Sequence, residues 1–214
     1  MSRLARLGND IVDVVKNSSL GELAFEYAEV ALDSASDSEI VKEIPGVSTI
    51  RALLSLKSSY SDRMLGRKIE KFVRGIAELK DSERAEMVSR LESDSDYGRS
   101  VGMYLVELLD RVDGHKKPEM LARTFAAFAR KEIELLMLLR LNVAIERVPN
   151  YEIKNIRPFN NDGKTGCPQL DDVSIHAFLS AGLARVRSGY NGSIYEPTEV
   201  CSAFVSLELD RTNT

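Results

Sequence analysis

The apolar positions of the first two-thirds of the chain recur every three and four residues, which is the spacing of one face of an α-helix. The pattern predicts helices over 20–31, 48–79 with a break near 58–61, 82–91, 94–114, 118–130 and 133–148. The last of these is apolar nearly all round, and such a helix normally lies inside a bundle. We therefore expect a multihelix bundle with the final helix at its centre.

The periodic pattern ends after Pro149. Proline, glycine, asparagine and aspartate crowd into 150–169, and such crowding is typical of a linker or a long functional loop. We therefore divide the chain into a helical bundle over 1–149, a linker or long loop over 150–169, and a separate C-terminal unit over 170–214.

The C-terminal unit has a different pattern. Asp171 or Asp172 can cap a short helix that ends near Ala181, and Thr198 can cap a final helix. Between them lie two short apolar stretches separated by a turn that contains Asn191 and Gly192, a pair typical of a hairpin. The predicted fold is therefore mainly α, with a multihelix bundle followed by a small helix, β-hairpin and helix unit.

This order of elements resembles the second half of a winged-helix domain. The stretch 178–186 is similar to the end of the second helix and the first strand of the wing, and 193–199 is similar to the second strand and the threonine cap after it. The resemblance covers about a fifth of the chain. It implies a projecting hairpin, or wing, that contacts a groove or a protein partner.

A second resemblance covers 44–148. Its features are Pro45, the Ser-Asp-Arg sequence at 61–63, the Leu-Leu-Asp-Arg-Val-Asp sequence at 108–113, and the Ala-Ile-Glu-Arg sequence at 144–147. In these features the segment resembles a family of bacterial and prophage proteins of unassigned function, some of which are carried near defence genes. The resemblance implies a phage-related or defence setting and supplies no catalytic residues.

The composition excludes several classes of protein. The chain has 214 residues with only two cysteines and two histidines, too few for a disulfide framework or a four-thiolate zinc site. We find no signal-peptide core and no stretch of about 20 predominantly apolar residues that would span a bilayer. These observations favour a protein of the reducing cytoplasm.

Candidate catalytic groups are few. The Gly-Lys-Thr sequence at 163–165 lacks the earlier glycine of a phosphate-binding loop, because Pro158 stands in that place. Cys201 and His176 could form a nucleophile and its base, but Cys201 falls on the apolar side of the last predicted helix, where a cysteine behaves as a small hydrophobe. We predict no catalytic residues, no metal site and no cofactor, and therefore no enzyme.

The charge distribution indicates one basic region in an otherwise acidic chain of net charge −4. Residues 51–90 carry 10 basic and 6 acidic residues. The basic residues that lie largely along one side of its predicted helix are Arg63, Arg67, Lys68, Lys71 and Arg74. They could contact a nucleic-acid backbone, but we favour intramolecular pairing with an acidic row, which consists of Glu22, Glu26, Glu29 and Asp33.

The predicted wing offers the other candidate surface. Arg185 and Arg187 alternate along its first strand and so share one face, and Tyr190 lies at the tip of the turn. We therefore favour a non-enzymatic interaction or regulatory module that contacts a protein partner, or a second copy of itself, through these three residues. The alternatives are a winged-helix nucleic-acid-binding regulator and a membrane-active abortive-infection effector. The acidic first segment argues against the membrane.

Overall fold

The computed structural model describes residues 3–16, 59–93, 100–162, 170–189 and 192–211. The chain is mainly helical, with a small two-stranded antiparallel hairpin near the C-terminus, which confirms the predicted fold class. The backbone packs into two compact units, 1–111 and 112–214. This division lies at a different place from the boundary that we placed after residue 149 on composition.

The first unit contains four described helices. They are α1 (Arg3–Lys16), α2 (Tyr60–Ile76), α3 (Asp81–Glu92) and α4 (Val101–Arg111). Helix α2 begins within the predicted break near 58–61, where the Ser59 hydroxyl caps it by accepting from the Asp62 backbone N–H at 3.1 Å. The stretch predicted before that break, 48–57, lies outside the described residues. The helix predicted at 20–31 lies outside the described residues. The sequence pattern did not predict α1.

Helices α1 and α4 pack together at a pair of glycines. A Cβ atom added to Gly8 would lie 2.7 Å from the backbone nitrogen of Met103 and 2.8 Å from the carbonyl carbon of Gly102. The two backbones are therefore close enough to exclude any side chain at this point. Around the crossing, Ile11 of α1 and Leu109 of α4 are fully buried.

Arg84 joins the end of α2 to α3. Its guanidinium is buried and donates to the carbonyl oxygens of Ile76 at 3.3 Å and Ala77 at 3.2 Å. It also contacts the Leu79 carbonyl and the Asp81 carboxylate. A buried cation is tolerated here because carbonyl oxygens at the end of α2 and the Asp81 carboxylate accept its hydrogen bonds.

The second unit contains helices, a short 3₁₀ turn and the hairpin. Its elements in chain order are α5 (Lys117–Ala129), α6 (Leu135–Arg147), the 3₁₀ turn (Asn150–Glu152), α7 (Ile153–Asp162), α8 (Asp172–Ser180), β1 (Ala184–Gly189), β2 (Gly192–Pro197) and α9 (Glu199–Ser206). Helix α6 packs against α5 and α9, and α9 also contacts α7 and β2. These contacts place the hairpin beside the helices of the unit.

The prediction of a loop over 150–162 was wrong, because this stretch is helical. Ile153, Ile156 and Phe159 recur every three residues and are buried. Their burial stabilises a helix despite the surrounding asparagines and the proline inside it, since tertiary packing readily overrides weak local propensity. The remaining part of the predicted loop, 163–169, lies outside the described residues.

The caps of the last two helices confirm the sequence signals. Asp171 accepts from the backbone N–H of Ser174 at 2.8 Å and so begins α8. Thr198 accepts from the backbone N–H of Cys201 at 3.2 Å and donates to the Gly182 carbonyl at 2.6 Å. The second contact ties the start of α9 to the turn that precedes the hairpin.

Candidate functional site

One face of the hairpin gathers the two predicted arginines around a single carboxylate. Residues directly opposite in an antiparallel pair share a face, and here Arg185 lies opposite Glu196 and Arg187 opposite Ile194. Glu196 pairs with both arginines, each at 3.1 Å. The arginine side chains remain 66% and 71% exposed. The third predicted contact residue, Tyr190, lies outside the described residues.

Both faces of the hairpin also expose a branched apolar side chain. Ile194 lies on the arginine face and is 51% exposed, and Val186 lies on the opposite face and is 53% exposed. A single exposed apolar residue is ordinary on a protein surface. Here, however, Ile194 lies directly across from Arg187, so this face of the hairpin offers apolar and cationic groups together.

Helix α6 exposes a stripe that its composition did not predict. Its outward residues are Leu136, Arg140, Val143 and Arg147, which follow one another at intervals of four, three and four. The opposite side of the helix is buried in the unit. The expectation that α6 lies at the centre was therefore wrong for this side of the helix.

An open groove of about 690 Å³ lies between this stripe and the base of the hairpin. Its walls come from α6, the end of α8, the turn at 181–182, the start of β1 and the start of α9. The apolar side chains along it are Leu139, Val143, Leu179 and Val200. We call this feature the α6–wing groove.

Arginine dominates the charge of the α6–wing groove. Arg140, Arg147 and Arg185 line it, together with one carboxylate, that of Glu199. Arg147 donates to the carbonyl oxygen of Ser180 at 3.2 Å. Among the described residues, Arg140 has no hydrogen-bonding or ion-pair partner. The groove is therefore locally positive on a chain whose net charge is −4.

Sequence reasoning missed the α6 part of this groove. A signal was present, because Arg140 and Arg147 stand seven residues apart in a stretch that is otherwise mostly apolar. Residues at that spacing lie on the same face of a helix, so the two arginines already marked one side of α6 as unsuited to a core.

Cys201 and His176 do not have the properties of a nucleophile and its base. Cys201 is fully buried on α9, and burial, together with the negative charge of Asp210, raises the pKa of its thiol to about 12. His176 lies exposed on α8. A catalytic cysteine needs a lowered pKa so that the thiolate forms near neutral pH, and here the shift is in the opposite direction.

The basic residues of α2 are partly engaged within the first unit. Arg74 pairs with Glu70 at 2.8 Å, and the Lys68 ammonium donates to the carbonyl oxygen of Asp110 at 2.9 Å. Arg67 is exposed, while Arg63 and Lys71 are half-buried. The acidic row proposed as their partner lies outside the described residues, so pairing between the two segments stays a prediction.

A buried polar cluster joins the 3₁₀ turn to α7 and α8. The Glu152 carboxylate accepts from the Ser174 hydroxyl at 2.6 Å and from the Asn155 side-chain amide at 2.9 Å. All three residues are buried. Because both oxygens of the carboxylate have donors, the cluster acts as an internal tie between these elements.

Within the part of the chain that the structure describes, no group of three or more histidine, cysteine or acidic residues is arranged to hold a metal ion. No helix in the same part is long and apolar enough to cross a membrane. No family model, curated protein or solved structure matches the chain.

Proposed function

We propose that the protein is a non-enzymatic interaction module that binds a protein partner through the hairpin, with Arg185, Arg187 and Tyr190 as contact residues. The observation that carries this proposal is the arginine face of the hairpin, where Ile194 is half exposed beside two exposed arginines. Arginine beside exposed apolar groups is typical of protein interfaces, in which a few such residues supply most of the binding energy.

The ion pairs of the hairpin favour a protein over a nucleic acid as the partner. A phosphate backbone that approached Arg185 and Arg187 would also meet Glu196, which lies between them. Binding to nucleic acid depends on cations that neutralise phosphates, and a carboxylate at the centre of the patch opposes it. A protein surface can instead supply its own cation or hydrogen-bond donor to Glu196.

The cellular setting that we propose is phage-related or defence-related. It rests on the sequence resemblance of 44–148 alone, and the cytoplasmic location rests on the composition of the chain. Neither is needed for the proposed mode of binding, which depends only on the hairpin.

Alanine substitution of the wing tests the proposed function. The triple variant R185A/R187A/Y190A is compared with R130A/K154A/Y151A, which likewise removes two cations and one tyrosine, from exposed sites outside the hairpin. Each protein is used to capture partners from its native host, followed by mass spectrometry. We expect the wing variant to lose a partner that both the wild type and the control retain. Melting temperatures should change little, since exposed substitutions usually alter stability by less than about 0.5 kcal/mol. Retention of every partner by the wing variant would contradict the proposal.

A further inference from the structure

We propose that the α6–wing groove binds an acidic amphipathic helix. This inference rests on the proposed function and names the chemistry of the partner. The occupant would carry apolar side chains along one face and aspartate or glutamate residues beside them. Three properties of the groove support it, namely its apolar wall, its charge and its size.

The apolar wall matches one face of a helix. Val143 lines the groove and is 43% exposed, and Leu136, two turns earlier on α6 and beyond the end of the groove, is 58% exposed. They alternate with Arg140 and Arg147 along one stripe. A helix that lies in a groove presents apolar residues at intervals of three and four, and the stripe of α6 repeats at the same intervals.

The charge of the groove selects an acidic occupant. Arg140 and Arg147 are separated by two turns of α6, which is about 10.5 Å at a rise of 1.5 Å per residue. Two acidic residues seven positions apart on a partner helix present carboxylates at that same spacing. Arg185 lines the hairpin side but is already paired with Glu196 at 3.1 Å, so the preference for an acidic occupant rests on Arg140 and Arg147. A basic helix would meet like charge along the α6 side of the groove.

The volume of the groove sets how much of the helix is held. At about 690 Å³, the groove falls within the range of roughly 300–1,000 Å³ that is usual for ligand sites. It accommodates a few side chains of one helix face while the rest of the helix remains in solvent. Affinity is therefore expected to come from a small number of apolar anchors and from the arginines beside them.

Fluorescence anisotropy with labelled synthetic peptides tests this inference on the full-length protein. The first probe is a helix-forming peptide with leucines on one face and glutamates two turns apart. The second has the same composition in scrambled order, and the third has lysine in place of each glutamate. We expect the first peptide to bind at least about tenfold more tightly than the other two, a difference of about 1.4 kcal/mol.

Charge reversal locates the binding site. R140E/R147E should weaken binding of the acidic peptide by at least about tenfold, because it places carboxylates opposite carboxylates. The control R130E/K154E makes the same change in net charge at exposed positions outside the groove, and it should leave the Kd within about twofold of the wild type. Equal binding of the acidic and scrambled peptides, or an unchanged Kd in R140E/R147E, would overturn the inference.

Two further outcomes would assign the groove to another occupant and so overturn it as well. One is binding of duplex DNA that R140E/R147E abolishes, and the other is a dimer in analytical ultracentrifugation that V143E dissociates. The wing experiment separates this inference from the proposed function. Suppose that R140E/R147E binds the acidic peptide as tightly as the wild type does, while R185A/R187A/Y190A loses the host partner. The groove inference then fails and the proposed function stands.

Discussion

Cys201 lies on the buried side of α9, where its environment stabilises the protonated thiol. Removal from water is the main cause of the raised pKa, and the nearby charge of Asp210 adds to it. Since the thiol has an ordinary pKa of about 8.5 in the unfolded chain, the unfolded state loses its proton first as the pH rises. The folded state is therefore stabilised by this group below about pH 8.5 and loses that stabilisation above it.

We expect this linkage to appear in the pH dependence of unfolding. Between pH 9 and pH 11 the free energy of unfolding of the wild type should fall more steeply than that of C201A, with the slopes differing by up to about 1.4 kcal/mol per pH unit. Urea denaturation at each pH measures the difference. Parallel curves for the wild type and C201A would contradict the prediction.

The sequence predicted that Cys201 is buried, but it did not predict that Asp210 lies near it. The spacing of Cys201 and Phe204 predicted a shared apolar face, and both are fully buried. Asp210, in contrast, is positioned by Arg157, whose guanidinium contacts both carboxylate oxygens at 2.6 and 2.7 Å. No local pattern relates residues so far apart in sequence, so only the folded structure reveals this pair.

The contact of α1 with α4 leaves no room for a side chain at Gly8 or Gly102. We predict that G102A destabilises the protein by about 1–3 kcal/mol, because a methyl group would have to push two backbones apart. Chemical denaturation measures the decrease in the free energy of unfolding. G75A is the control, since Gly75 is exposed on α2, and there alanine should raise stability by about 0.5–1 kcal/mol through its higher helix propensity. Equal stability of G102A and the wild type would show that the contact can relax.

The helices also show where periodicity stops being informative. The pattern located α2, α3, α4, α5 and α6 because each has a clear apolar face or a cap. It could not show which side of α6 is covered. The covering helices are α5, which precedes α6 in the sequence, and α9, which follows it after several other elements. It also failed over 150–162, where three buried apolar residues outweigh a composition that is otherwise typical of a loop.

For the molecule as a whole, the distribution of charge argues against tight binding to nucleic acid. The chain carries net charge −4, and four of its candidate contact residues already have acidic or carbonyl partners, namely Arg74, Lys68, Arg185 and Arg187. We predict no measurable binding to duplex DNA at about 150 mM salt, where non-specific binding is already weak. Fluorescence anisotropy with labelled duplex from low to moderate salt checks this. A steep, salt-dependent association would favour the alternative function.

For the whole molecule, the fold class was predictable from the sequence, but the α6–wing groove was not. Helical spacing, two helix caps and one hairpin signal are local, and each can be detected within about a dozen residues. The groove brings Arg140 and Arg147 together with Arg185 and Glu199, and these residues meet only after the second unit has packed. The sequence therefore indicated the wing arginines and left the opposite wall of the groove undetected.

The contact between Gly8 and Gly102 can form only after both helices that carry these glycines have been translated. Gly102 is translated more than ninety residues after its partner Gly8, a delay of roughly 5–20 s at about 5–20 residues per second. During that interval Leu7, Ile11 and Val15 of α1 have no α4 to cover them. The apolar face of α1 is therefore not covered by its α4 partner until translation has passed Gly102.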